Sequence, residues 1–282
     1  MTNIELKKLQ KISLEMATTF SDFCDRHGLL CYLCGGGCIG AVRNGQMIPW
    51  DDDLDFFMPR RDYEKALKIW EEEMKDSRYA LEIPSSSLVT HCLFAKMRDK
   101  NTTYIYDYQK DIDTVHGVAL DIIPLDGYPD SRLQRIMQCV WAYIYSLYCA
   151  QLVPQNHGRL VSLAGNVLLK IVPSKRLRYR IWSFAEKRMT RHSIEECKGI
   201  TELCSGPGYM KNYYPKEILE SALKVSFEDT KLPIPVGYDK YLRIAFGDYT
   251  KLPPVSERVQ QHEAMFMDLD KGYENYRGKY FL

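Results

Sequence analysis

The sequence has almost no excess charge of either sign. Its 38 Lys and Arg stand against 37 Asp and Glu, for a net charge of +1. Bulk electrostatics therefore give no pull towards nucleic acid, and no nucleic-acid partner is expected. Any anionic ligand has to be met by a local cluster. Long apolar runs are missing as well. The opening residues, MTNIELKKLQKISLEMATTF, interrupt their apolar positions with charges, which excludes the unbroken core of a secretory signal and points to the cytoplasm. The least polar stretch, residues 139–153, has 15 residues, short of the roughly 20 that a membrane-crossing helix needs. It reads as a core helix or as one lying on a membrane surface. Nine cysteines, an odd number in 282 residues, argue against a disulfide framework. Cys31 and Cys34 have C-x-x-C spacing, but no second pair follows at a suitable distance. The cysteines are therefore read as small buried residues rather than zinc ligands. His27, His91, His116, His157 and His192 show no paired spacing, and there is no repeat or low-complexity tract.

What is present is an ordinary globular composition, 45% hydrophobic and 27% charged. Apolar residues recur at helical spacing over residues 4–27, ending at Gly28. Residues 29–33 read as a buried strand running into Gly35, Gly36 and Gly37, with a helix beginning at 39–43 and a turn at Asn44-Gly45. Strands are expected at 54–58, 88–98, 102–106 and 118–123, the last closed by Pro124 and an Asp126-Gly127 turn in which Asp126 is the turn former. A helix is expected at 60–74. Beyond Ser131 come helices at 132–153, 161–172 and 175–190, short strands at 225–236, and a last helix at 238–246. The fold class is α/β. Residues 1–130 form a catalytic core with a mixed sheet and flanking helices. Residues 131–282 form a mainly helical half with a short strand segment that completes the cleft.

Asp51, Asp52, Asp53 and Asp55 place four carboxylates in five residues. In an extended strand Asp53 and Asp55 share a face while Leu54 points into the core, and Asp51 joins them if the strand begins early. Carboxylates on one face repel, and a hard cation such as magnesium, or manganese, relieves the repulsion. A third acid is wanted for metal ligation or to take the proton of an incoming hydroxyl. Asp121, between Leu120 and Ile122, fits because an unpaired charge inside a strand is costly. The glycines allow a phosphate or sugar to approach the backbone closely, although no Walker lysine–serine pair accompanies them. Arg43, Lys96 and Arg98 are candidate phosphate contacts. Tyr104, Tyr106 and Tyr108 cluster three aromatic faces of the kind that can receive a cationic group.

The stretch YLCGGGCIGAVRNGQMIPWDDDLDFFMPRRDYEKAL resembles the signature of LicD proteins. GVALDIIPLDGYP and LPIPVGYDKYLRIAFGDYTKLPP resemble two further blocks, with His262 just past the last. The chain departs from the signature at Cys34, Gly37 and Cys38. The resemblance implies a nucleotidyltransferase-like fold, related to the fukutin group. In it Gly35 and Gly36 hold the nucleotide phosphates, Asp53 and Asp55 bind metal, and Asp121 is the third acid. Trp50, Asp51, Asp52 and His262 are further candidates. The implied reaction moves phosphocholine, or another phosphoalcohol, from CDP-choline or another CDP-alcohol to a sugar hydroxyl of teichoic acid or lipopolysaccharide, and releases CMP. The implied acceptor is a lipid-linked glycan, with the protein peripheral on the cytoplasmic face of the membrane. Two alternatives remain: a nucleotidyltransferase acting on another hydroxyl, and a non-catalytic glycan-binding protein. The second would have no need of three costly carboxylates.

Overall fold

The computed structural model describes residues 1–152, 159–260 and 262–282; Val153 and His157 lie outside them. Helix α1 (Asn3–Arg26) opens on a capping box. The Thr2 hydroxyl accepts from the Glu5 N–H at 3.2 Å, and the Glu5 carboxylate accepts from the Thr2 N–H at 2.7 Å. Its Leu9, Met16, Phe20 and Phe23 lie in the main core.

That core is built on a mixed, seven-stranded sheet, so the α/β class expected from periodicity holds. The strands run in the order β1 (Tyr32–Leu33), β2 (Asp55–Pro59), β6 (Ala119–Tyr128), β4 (Ala95–Asp99) and β3 (Tyr79–Glu82). β7 (Gly199–Thr201) and β8 (Tyr214–Pro215) continue from the far end of β6. β2 and β6 are parallel, and the other pairs are antiparallel. Helices α2 (Gly35–Asn44) and α3 (Arg60–Glu73) follow β1 and β2. Two further ribbons carry the last third of the chain back to this sheet. β9 (Ala222–Phe227) pairs with β10 (Thr230–Pro235), and β11 (Phe266–Asp268) pairs with β5 (Thr103–Ile105).

Three expectations are corrected here. Gly35, Gly36 and Gly37 are the first turn of α2 rather than a loop ahead of it. Residues 88–94 are not strand; β4 begins only at Ala95. The expected turn at Asp126-Gly127 is instead the end of a ten-residue β6. β2 runs beside β6 through Pro124, but β4 pairs with β6 only over residues 119–122 and β7 only over 126–128, so Pro124, which has no N–H to donate, falls between those two partners. Asp126 lies opposite Thr201, and its two oxygens each accept from Arg60 at 2.8 Å. A buried carboxylate with a bidentate partner is holding elements together rather than shaping a turn.

Helices α4 (Arg132–Ala150), α5 (Arg159–Ile171) and α6 (Lys175–Met189) gather a second, smaller core around Tyr145, Trp182 and Met189. After α7 (Pro207–Met210), residues such as Tyr214, Phe227 and Ile234 rejoin the main core, as do Tyr241 and Leu242 of α8 (Tyr238–Phe246). The main core is thus shared across residue 130. Among the described residues no helix is long and apolar enough to cross a membrane.

Candidate active site

Register builds the site. Asp55 of β2 lies opposite Asp121 of β6, and Lys96 of β4 lies opposite the same Asp121. Opposed residues on neighbouring strands point to one face of a sheet, so Asp55, Asp121 and Lys96 form a row across three adjacent strands. The Lys96 ammonium is 2.9 and 2.7 Å from the two Asp121 oxygens. Burial works most strongly against the charge on Lys96, but Asp121 together with Cys92 and Tyr106 holds the ammonium pKa well above its ordinary value.

Asp53 sits just ahead of β2. Burial still alternates through the segment, with Asp52 and Leu54 buried and Asp51, Asp53 and Asp55 only half-buried. The three acids therefore share the more open side, as an extended chain requires. Burial and the charges of Asp53 and Asp52 raise the Asp51 carboxyl to about 7. Burial also raises Asp53, with His262 opposing the shift and Asp121 adding to it. Asp55 is pushed well above the usual carboxylate range by burial and then by Asp53 and Asp121.

His262 reaches this cluster because β11 pairs with β5. Met265 N–H donates to the Ile105 carbonyl at 2.8 Å, and the Tyr104 hydroxyl donates to the His262 carbonyl at 3.1 Å. The His262 backbone N–H and ring Nδ1 meet the two oxygens of buried Asp52 at 3.0 and 3.1 Å. Nδ1 is also 3.3 Å from Asp53. The bond to Asp52 raises the imidazole to about 8 against partial burial, with Asp53 adding to the effect. Asp52 thus orients His262 and fixes the segment that carries Asp53.

The glycine helix adjoins the row. Cys34 N–H donates to the Asp55 carbonyl at 3.0 Å, and α2 begins at the next residue. Gly35 has φ +52°, and its N–H donates to the Tyr241 hydroxyl at 3.0 Å. A Cβ on Gly36 would come within 2.0 Å of an Asp51 carboxylate oxygen. The close approach expected of a ligand at this glycine is thus made by the protein's own Asp51. The remaining N–H groups of the first turn have no acceptor within the helix and carry the positive end of its dipole.

Other candidates fall elsewhere. Arg43 is at the opposite end of α2 and donates to the carbonyls of Tyr249 and Lys251. Arg98 is 1% exposed, and its guanidinium is held by Glu82 at 3.1 Å, Gln109 at 2.8 Å and the Gly117 carbonyl at 3.1 Å. A guanidinium sealed into such a network is not open to a phosphate. Trp50 lies under Arg258, 5.4 Å from guanidinium carbon to ring centre. Sequence reasoning missed Gln10, whose amide donates to the Ile48 and Asp51 carbonyls at 3.1 and 2.8 Å and pins the acidic segment to α1. The available signal was a glutamine in the buried stripe of a helix, beside Leu9. The C-x-x-C pair, Cys31 and Cys34, is buried in the main core, and both thiols are free.

These residues fit a hard divalent cation. Asp52, Asp53 and His262 bring ligand atoms within 4.8 Å of one another, and Asp55 and Asp121 extend the oxygen donors from Asp53 along the sheet. Burial and then the neighbouring carboxylates raise Asp51, Asp53 and Asp55, a repulsion that a bound cation would relieve, and oxygen donors of this kind suit magnesium or manganese.

Residues 28–129 match the family model described as LicD/FKTN/FKRP, nucleotidyltransferase domain. The match takes in the glycine helix, the acidic segment, Lys96 and Asp121, and leaves His262 outside. The chain is 26% identical to the lipopolysaccharide cholinephosphotransferase LicD of Haemophilus influenzae over 93% of its own length and 97% of that protein's. It is 23% identical to mannosyltransferase regulator 4 of Saccharomyces cerevisiae over 54% of this chain and 13% of that one. Over residues 28–129, and at 26% identity over nearly its whole length, the chain is thus similar to the LicD family.

Proposed function

We propose that the protein transfers a phosphoalcohol, in the first place phosphocholine, from a CDP-linked donor to a sugar hydroxyl of a cell-surface glycan such as lipopolysaccharide or teichoic acid, releasing CMP. The observation that carries this reading is the row Asp55–Asp121–Lys96, with Asp53 above it and the start of α2 beside it. A metal bound at Asp53, Asp55 and Asp121 would offset the charge of the donor pyrophosphate and of the departing CMP. Around it the protein supplies position. Gly35 opens a helix whose positive end suits phosphate oxygens, and Lys96 keeps Asp121 in place. Lys96 engages both Asp121 oxygens and holds the carboxylate opposite Asp55, so we assign Asp121 to the cation rather than to the acceptor proton.

Recognition of choline rests on the tyrosine ladder. The rings of Tyr104 and Tyr106 are 5.2 Å apart, those of Tyr106 and Tyr108 are stacked at 5.3 Å, and Tyr106 is 6.5 Å from the His262 ring. Tyr108 is exposed. Aromatic faces next to a phosphate site suit a quaternary ammonium, and the Haemophilus influenzae relative is named for cholinephosphate transfer. Calorimetric titration with CDP-choline, with magnesium and with EDTA, tests the reading. Binding should require the metal and exceed that of CDP-glycerol; binding that ignores the metal would leave only a glycan-binding or scaffold role.

A further inference from the structure

Helix α4 presents an apolar stripe to solvent. Leu133, Ile136, Met137, Val140 and Tyr143 are all 42% or more exposed and recur at i, i+3, i+4, i+7 and i+10, one face of a helix. The opposite face, carrying Arg135, Gln138, Ala142 and Tyr145, is the buried one. Burial of Arg135 and Gln138 is specified by bonds, since the Gln138 amide donates to the Gly127 and Met189 carbonyls at 2.8 and 3.0 Å. The outward stripe is therefore not left over from a helix that could turn round.

Helix α6 continues this surface with a different mixture. Leu177 and Phe184 are exposed on the same face as Arg176, Arg180, Lys187 and Arg188. The two helices meet where Trp141 packs edge-on against Phe184 at 5.4 Å, and an open groove of about 980 Å³ runs between them past Tyr143, Leu177 and Arg180. Residues 132–192 hold eleven Lys and Arg and one acid, Glu186, in a chain whose net charge is only +1. Glu186 lies 3.7 Å from Arg60, away from this surface. Among the described residues the four α6 cations form no ion pair.

We infer that the α4–α6 face is a docking surface for the headgroup region of an anionic lipid bilayer. A continuous band of exposed Leu, Ile, Met and Val suits a phosphate-lined groove poorly, whereas apolar side chains interleaved with cations and with Trp and Tyr match an interface of acyl chains beneath anionic headgroups. The face is tied to the candidate site through the start of β4, since the Tyr145 hydroxyl donates to the Leu93 carbonyl at 2.6 Å and Phe94 lies against the Lys96 ammonium. This inference stands apart from the transferase reading, because it uses no residue of the acidic row.

Sedimentation of the full chain with vesicles tests it. Vesicles of phosphatidylcholine alone are compared with phosphatidylcholine mixed with phosphatidylglycerol, at low and high salt. The protein should pellet with the anionic vesicles and be released by salt. The pair Arg180→Glu and Arg188→Glu should weaken partitioning by at least about 25-fold, roughly fivefold for each cation lost. The pair Ile136→Ser and Val140→Ser should weaken it by about tenfold, with circular dichroism confirming that both variants fold. Equal pelleting with neutral and anionic vesicles would overturn the inference, as would anionic binding that both pairs leave intact. So would a dimer that the Ile136→Ser, Val140→Ser pair dissolves with no vesicle binding by either protein.

Discussion

At the scale of single residues, the site is a crowd of like charges held in place by two cationic side chains. Asp55→Asn removes one ligand charge and one source of repulsion at once. Turnover should fall by at least about 10², since even partners behind a ligand are worth 10–100-fold, while thermal unfolding without metal should stay level or rise. Asp53→Asn should behave alike; more than a few per cent residual turnover at normal magnesium would remove either from the metal site. Asp121→Asn separates two roles. As a ligand, its loss should shift the magnesium midpoint upwards and let added metal restore part of the rate. An unshifted midpoint with a rate loss of about 10²–10⁴ would make it the base instead. The acids themselves were legible in the sequence, because four carboxylates beside Leu54 and one inside Leu120–Ile122 have no cheap structural use. Arg98 was misread because it lies two residues from Lys96 on the same strand, and nothing local says that Glu82, Gln109 and Gly117 close around it.

At the scale of elements, what could be read was what local pattern decides. Helix α8 has the bounds expected of it, between Gly237 and Gly247. β7 and β8 escaped notice because strands of three and two residues carry no periodicity; their existence depends on β6 running on past Pro124 to meet them. β11 escaped for the same reason, and with it the route by which His262 reaches Asp52. The reassigned Asp126 makes a prediction that belongs to this scale. Its pair with Arg60 ties α3 to β6, and Asp126→Ala would leave a buried guanidinium without its main partner. Urea unfolding should show a loss of about 3–5 kcal/mol, the usual cost of breaking a buried pair from one side; a loss under about 1 kcal/mol would mean that Glu186 suffices for Arg60. The start of α2 can be probed in the same way. Gly36→Ala puts a methyl group onto the Asp51 carboxylate, so turnover should drop with it even where the fold survives by circular dichroism.

At the scale of the whole molecule, the last third of the chain both closes the main core and supplies a buried acid with consequences for stability. Burial raises Glu202 to about 7 from the ordinary 4.5, with the Tyr214 hydroxyl bonded to it and opposing the shift. Between those pH values the unfolded chain has released this proton while the folded chain keeps it, so Glu202 makes stability fall as pH rises through the window. Glu202→Gln should abolish that contribution, and the difference in Tm between variant and parent should move in the variant's favour from about pH 4.5 to 7, then level off. A constant difference would show that Glu202 ionises normally in the fold. The most direct measurement for the molecule as a whole is CMP release from CDP-choline with a glycan acceptor. It is to be followed in the parent protein and in Asp55→Asn, each with magnesium and with EDTA. Release that needs both the metal and Asp55 is expected; release that continues undiminished in EDTA or in Asp55→Asn would contradict a metal-dependent phosphoalcohol transfer at the Asp55–Asp121–Lys96 row.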